Sequence, residues 1–189
     1  MEELINERYR LGQALVRCGP GAAHAAIDLN DASPCVLRFV PGPTPGADAL
    51  LEGRVRHPRL ESLWGWEPRP EGWLPVSEAP PASPLLSELQ GLDAERLARI
   101  LLEALQGIEA LARVGLAHGG LSAERILVSS GGVRLLDPGL AGLGPPTYAP
   151  PEASGGGAMS PRDARGDLYA LGALAYERIG GRRPDERHP

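Results

Sequence analysis

The chain has 189 residues, of which 42% are hydrophobic and 23% charged, a balance that fits a soluble globular protein with one domain or two small lobes. The net charge of −5 and the lack of a basic block argue against nucleic acid as the main partner. No apolar run approaches the ~20 residues that span a bilayer, and the polar start MEELINERYR is unlike a secretory signal. Cys18 and Cys35 form neither a metal pattern nor a disulfide framework, so we expect reduced thiols in a cytoplasmic protein.

Two residue types that often serve in catalysis are missing or scarce. All 19 basic residues are arginine, and the only asparagines are Asn6 and Asn30. No chemistry of this chain can therefore use a lysine amine.

The first part of the chain is predicted to form short strands. Apolar alternation and turn residues indicate strands over 8–16, 22–28 and 35–40, a short helix over 47–56, and two tryptophan-rich strands within 60–77. We expect a turn at 18–21, and a loop at 41–46 because its three prolines exclude a helix or a central strand. The sequence EAPPASP, residues 78–84, is the clearest linker, and we place a boundary between two lobes there, 1–79 and 80–189.

After this linker the pattern becomes helical. Asp93 is a good N-cap for a helix whose apolar residues follow at helical spacing up to residue 112. Segments 126–130 and 133–137, separated by Gly131-Gly132, predict a β-hairpin. A last helix is predicted over 163–179, with one apolar face made of Leu168, Leu171, Ala175 and Ile179.

Several motifs along these elements resemble those of bacterial (Hanks-type) Ser/Thr protein kinases. From His118 the chain reads HGGLSAERILVSSGGVRLLDPGLAGL, which is similar to a catalytic loop HRDLKPENIL followed by a hairpin and DFGLA. Other motifs follow the family's order: GPGAAHAAID resembles its glycine-rich loop, CVLRF its VAIK strand, YAPPE its APE motif, and DLYALG the start of a later helix. The resemblance implies an α+β fold with a small antiparallel β N-lobe and a mainly helical C-lobe that ends early.

The residues that transfer phosphate in that family are replaced here. Under the resemblance, Arg38 stands for the strand lysine, Gly120 for the catalytic aspartate, Ser122 for the lysine that follows it, and Arg125 for the metal-binding asparagine. Arginine keeps a positive charge, but its planar fork does not place a point charge between phosphates as lysine does.

The partners of the two arginines remain open at this point. The resemblance makes Asp48 the expected partner of Arg38. Arg125 is expected to form a salt bridge, for instance to Asp137, although it could instead neutralise phosphate directly.

Asp137 is the one retained metal ligand, in an Asp-Pro-Gly turn where kinases have Asp-Phe-Gly. A single carboxylate is a weak magnesium site, so we interpret Asp137 mainly as a turn residue. Gly19, Gly21, Arg38 and Asp137 are weak nucleotide-binding candidates, and an ordinary hairpin turn is the alternative interpretation of the two glycines.

Three residues match structural positions of the family. His118 keeps the packing pattern of the catalytic loop, and Glu152 is the glutamate of the APE motif. Asp167 matches an aspartate that, in the family, accepts hydrogen bonds from backbone N–H groups of the catalytic loop.

The resemblance therefore implies a catalytically inactive pseudokinase that needs no cofactor and acts as a protein-binding or allosteric module. The alternatives are a sensor that binds ATP without magnesium and an atypical phosphotransferase using Asp137 with Glu124 or Asp93. Because the sequence ends after the last helix, we expect its face of Leu168, Leu171, Ala175 and Ile179 to contact a protein partner or a second copy. We expect no nucleic-acid or membrane partner.

Overall fold

The computed structural model describes residues 4–15, 23–42, 55–139, 148, 150, 163–182 and 184. In chain order its strands and helices are β1 (Leu4–Ile5), β2 (Tyr9–Leu15), β3 (Ala23–Asp28), β4 (Pro34–Arg38), β5 (Val40–Pro41), β6 (Leu63–Arg69), β7 (Gly72–Glu78), α1 (Ala94–Ala112), β8 (Ile126–Ser129), β9 (Gly132–Leu135) and α2 (Arg165–Gly180). Two 3-10 turns, Leu86–Glu88 and Ala123–Arg125, lie between them. The predicted α+β class is confirmed.

β1 to β7 form one antiparallel sheet in the order β1-β2-β3-β4-β7-β5, and β6 also pairs with β7. The register shifts between Leu11 and Ala14 in β2 and between Leu63 and Gly65 in β6. Such irregularities increase the local twist of a strand, which helps a sheet of this size to curl.

The two faces of this sheet differ in chemistry. Successive side chains of β4 alternate between the faces, and cross-strand pairing places Leu37 beside His24 of β3 and Val76 of β7. That face carries an apolar cluster of buried residues, namely Ile5, Tyr9, Ala26, Cys35, Leu37, Leu74 and Val76. The opposite face carries Arg38, which is 4% exposed.

The helical part is built on α1 and α2. Asp93 caps α1 as predicted, because its Oδ1 accepts a 2.7 Å hydrogen bond from the backbone N–H of Arg96. The apolar stripe of α1 packs in the main core with the β8–β9 hairpin and with α2, through residues that include Ile100, Ile108, Leu111, Leu135, Leu171 and Leu174.

The β8–β9 hairpin also joins the helical part to the segment that precedes β6. The N–H of Leu135 donates to the carbonyl of Arg59 at 2.8 Å, and the N–H of Glu61 donates to the carbonyl of Leu135 at 2.9 Å. This bridge fixes Glu61 next to the end of the hairpin, where Asp137 follows.

One predicted turn is wrong by a residue. Ser129 pairs with Gly132, so Ser130 and Gly131 form the hairpin turn instead of Gly131-Gly132. The Ser129 hydroxyl closes this turn by donating to the carbonyl of Gly132 and accepting from the N–H of Gly131. The predicted turn at 18–21 and helix at 47–56 lie wholly or largely outside the described residues, and the lobe boundary near residue 79 stays a prediction.

Candidate functional site

A buried ion pair joins the sheet to the end of the hairpin. Arg38 is the last residue of β4, and its Nε lies 2.8 Å from Oδ1 of Asp137. The two side chains are 4% and 3% exposed. The predicted partner Asp48 lies outside the described residues, so among these it is Asp137 that forms the ion pair with Arg38.

A second arginine approaches the same carboxylate. Arg125, in the 3-10 turn that precedes β8, places its Nε 3.8 Å from Oδ2 of Asp137, the salt bridge that we expected. Its NH1 group also donates a 3.0 Å hydrogen bond to the carbonyl of Gly120. A Cβ atom built on Gly120 would collide with the Arg125 guanidinium. An arginine side chain thus occupies the space beside Gly120, the residue that the resemblance matches with the catalytic aspartate.

Asp137 adopts the turn conformation that we proposed for it. Its φ angle is +58°, a left-handed conformation that non-glycine residues seldom adopt. The backbone N–H of Asp137 donates a 2.7 Å hydrogen bond to Oε2 of Glu61, which helps to hold this turn in place.

Glu61 is a further member of this cluster, and no sequence motif marks it. It is 6% exposed, and its Oε1 accepts a 2.7 Å hydrogen bond from the hydroxyl of Ser77 on β7. The only signal in sequence is an acidic residue between Leu60 and Leu63, in a stretch predicted to contain two tryptophan-rich strands.

The buried carboxyls share the charge of the arginines unequally. Burial, and after it the negative charge of Asp137, raises the pKa of Glu61 to about 7. Burial also raises the pKa of Asp137, against the lowering effect of Arg38 and Arg125. Asp137 forms the direct ion pair with Arg38. Of the two carboxyls, we therefore assign the proton to Glu61 and the negative charge to Asp137.

His118 and Asp167 support the loop that carries Gly120. Oδ2 and Oδ1 of Asp167 accept hydrogen bonds from the backbone N–H groups of His118 at 2.6 Å and Gly119 at 2.9 Å, the contact that the resemblance implied. The His118 ring is fully buried, and burial together with the Arg125 charge lowers its pKa to about 3. The imidazole is therefore neutral and acts in packing.

Little space remains among these groups. A cavity of about 10 Å³ lies between Arg38, Glu61, Ser77, Asp137 and Pro138. That volume holds roughly one water molecule.

Gly19 and Gly21, the candidate residues of the glycine-rich loop, lie outside the described residues, as does Glu152. Ser122 precedes the 3-10 turn, and its carbonyl accepts from the N–H of Arg125.

The apolar face predicted for the last helix is wrong in one member. Leu168 and Ile179 are 50% and 77% exposed, and Ala175 is half-buried, but Leu171 packs in the main core. At about 100° per residue, Leu171 lies about 60° from the line of Leu168, Ala175 and Ile179, which turns it toward α1.

No group of three or more histidine, cysteine, aspartate or glutamate side chains suited to a metal occurs among the described residues. Within the same residues, no helix has the length and apolar character needed to cross a membrane.

The chain is similar to several bacterial protein kinases. It is 25% identical to the serine/threonine-protein kinase PknL of Mycobacterium tuberculosis in an alignment of 207 positions, which covers 96% of this chain and 51% of PknL. It is 26% identical to PknB of the same species over 95% of this chain and 33% of PknB. Pkn1 of Myxococcus xanthus is 28% identical over 73% of this chain and 22% of Pkn1.

These matches show weak homology to bacterial serine/threonine kinases over most of the chain, and they support a kinase-like domain. The chain spans about half the length of PknL and a third of PknB. No protein-family model matches it.

Proposed function

We propose that this kinase-like chain is a catalytically inactive pseudokinase that works as a protein-binding or allosteric regulatory module. One observation carries the proposal: Arg38 and Arg125 both lie against Asp137, the single retained metal-ligand position. In a working phosphotransferase of this family, that carboxylate would face a magnesium ion, and the lysine that Arg38 replaces would face phosphate.

The charge pattern opposes magnesium. A magnesium ion takes oxygen ligands in near-octahedral geometry. Here Oδ1 of Asp137 is paired with Arg38, while Oδ2 lies 3.8 Å from Nε of Arg125 and makes no hydrogen bond. Placing a dication between Arg38 and Arg125 would require the buried ion pair to break, and an uncompensated buried charge is expensive. The replacement of the catalytic aspartate by Gly120 removes the acceptor for a substrate proton.

The second candidate is a sensor that binds ATP without a metal. Two arginines beside one carboxylate leave a net positive site when Glu61 is protonated, and this favours a polyphosphate. The third candidate, an atypical phosphotransferase, requires a displaced base. Glu124 is exposed on its 3-10 turn, and Asp93 is engaged as the N-cap of α1.

A thermal-shift titration with ATP separates the three functions. The pseudokinase proposal expects no shift of the melting temperature with ATP in EDTA or with ATP and magnesium. A shift of equal size in EDTA and in magnesium would support the sensor. A magnesium-dependent shift together with phosphate transfer to a protein substrate would support the phosphotransferase.

For the partner, we propose a protein contact through the exposed side of α2, centred on Leu168 and Ile179. Sedimentation of the purified chain tests self-association through this surface. The double variant Leu168→Ser, Ile179→Ser is expected to lower the weight-average mass if the partner is a second copy. Leu102→Ser is the matched control, because Leu102 is 62% exposed on α1. A monomeric wild-type chain excludes the second copy and leaves a different protein as the partner.

A further inference from the structure

A cavity unrelated to the Arg38–Asp137 ion pair lies on the opposite face of the sheet. It has a volume of about 520 Å³, within the range of small-molecule sites. Its apolar lining consists of Leu4, Ile5, Leu11, Leu37, Phe39 and Leu74. Because Leu37 and Arg38 are successive residues of β4, the strand separates the cavity from the ion pair.

Pro70, Glu71, His24 and Arg69 complete the lining, and the last two each have a side-chain nitrogen without a partner. Nδ1 of His24 and an NH2 nitrogen of Arg69 are buried from solvent and make no hydrogen bond. Buried donors are nearly always paired in folded proteins, and a charged group left unpaired is especially costly. An oxygen atom supplied by a ligand would remove that cost for both groups.

The positions of these two residues follow from the strands. His24 pairs with Leu37 in the β3–β4 register, so both side chains lie on the cavity face. Arg69 is the last residue of β6 and pairs with Gly72 across the turn to β7. Gly72 lies so close to the ring of Phe39 and the carbonyl of Val40 that a side chain there would collide with them. The backbone paired with Arg69 is thus closely packed against Phe39 and Val40.

We propose that this cavity binds a small molecule with an apolar chain and a terminal carboxylate. The chain would occupy the leucine-lined space, and the carboxylate would accept hydrogen bonds from Arg69 and from His24 in its Nδ1-protonated form. Glu71, the acidic residue of the lining, is exposed, which leaves the guanidinium as the dominant charge next to the buried nitrogens. The site is independent of nucleotide binding and of the proposed loss of catalysis.

The test is a titration of the ¹⁵N-labelled chain with octanoate, followed by amide chemical shifts. We expect saturable shifts centred on Leu37 and Phe39. Arg69→Gln should weaken octanoate binding by about tenfold or more, and 1-octanol, which lacks the carboxylate, should bind the wild type more weakly by a similar factor. Arg99→Gln is the control and should bind as the wild type does, because Arg99 lies on α1 with its side chain 70% exposed.

A second variant fills the cavity and leaves the polar groups in place. Leu11→Trp adds volume at a half-buried position of the lining and should abolish binding, with amide shifts away from β2 unchanged. Failure of octanoate to saturate the wild type would overturn the proposal. Equal affinity of wild type and Arg69→Gln, or of octanoate and octanol, would overturn it as well.

Discussion

Nε of Arg38 and Oδ1 of Asp137 lie 2.8 Å apart, in side chains that are 4% and 3% exposed. A buried ion pair adds little to the net free energy of unfolding, because both charges lose their hydration when the chain folds. Breaking it from one side is costly, because the other charge then stays buried. The pair therefore leads to testable predictions about the stability of the folded state and about ligand binding.

Removal of Arg38 should destabilise the protein strongly. We expect Arg38→Met to lower the free energy of unfolding by roughly 3 to 5 kcal/mol, because Asp137 loses its direct partner in a buried site. Arg99→Gln, which breaks an exposed pair with Glu95, should cost about 0.5 kcal/mol. Urea unfolding of the two variants gives both values. Similar costs for the two substitutions would show that the Arg38 pair is not structural.

Gly120 and Arg125 should show energetic coupling. Gly120→Ala is expected to cost about 1 to 3 kcal/mol, because the new Cβ atom collides with the Arg125 guanidinium. In an Arg125→Met background the same change should cost at least about 1 kcal/mol less, since the shorter side chain vacates the space. A double-mutant cycle of unfolding free energies measures this difference. Additive costs would mean that Arg125 does not occupy the space beside Gly120 in solution.

Glu61 should make stability depend on pH. Its folded-state pKa, about 7, is higher than the usual value of 4.5, so between these pH values the folded chain holds a proton that the unfolded chain has lost. This carboxyl therefore lowers stability as the pH rises through that window, by up to about 3 kcal/mol. The buried neutral His118, with a pKa of about 3 against 6.5, has the opposite slope below pH 6.5 and masks the effect in the wild type.

The comparison of Glu61→Gln with the wild type isolates the carboxyl. Glutamine mimics the protonated acid toward Ser77 and the N–H of Asp137. We expect equal stabilities at about pH 4 and below and a growing advantage of the variant up to about pH 8, measured by urea unfolding at each pH. A difference that is constant with pH would contradict the raised pKa.

Asp167 should fix the loop that contains His118 and Gly119. Asp167→Ala removes the acceptor of two backbone N–H groups and should cost roughly 2 to 5 kcal/mol, while Asp167→Asn, which keeps one acceptor oxygen, should cost about half of that. Hydrogen exchange of the His118 and Gly119 amides should accelerate in the same order. Unchanged exchange in Asp167→Ala would show that the loop is held by other contacts.

The sequence predicts the local features of this fold well. The start of α1 is set by Asp93 and its contact with Arg96, three residues later, and such capping is legible in any sequence. The strands with alternating apolar residues and the hairpin are likewise local. The predicted position of the hairpin turn is wrong by one residue. The Ser129 hydroxyl closes the turn at Ser130 and Gly131, and the Gly131-Gly132 pair in the sequence gives no sign of this contact.

The charge cluster was only partly predictable. The resemblance marks Arg38, Arg125 and Asp137, and the sequence predicts the pair between the last two. Glu61 cannot be predicted in this way, because its role depends on the fold bringing Leu135 and Ser77 to it. The β1 strand was missed since its two residues are too few to show a period.

The most direct test of the account is calorimetric titration of the chain with ATP in the presence of magnesium, up to about 1 mM nucleotide. If Arg38 and Arg125 occupy the surroundings of Asp137 as the structure has them, no saturable heat is expected, and addition of EDTA changes nothing. Saturable binding of one nucleotide per chain that disappears in EDTA would contradict the account, since it would require Asp137 to hold magnesium instead of the two arginines.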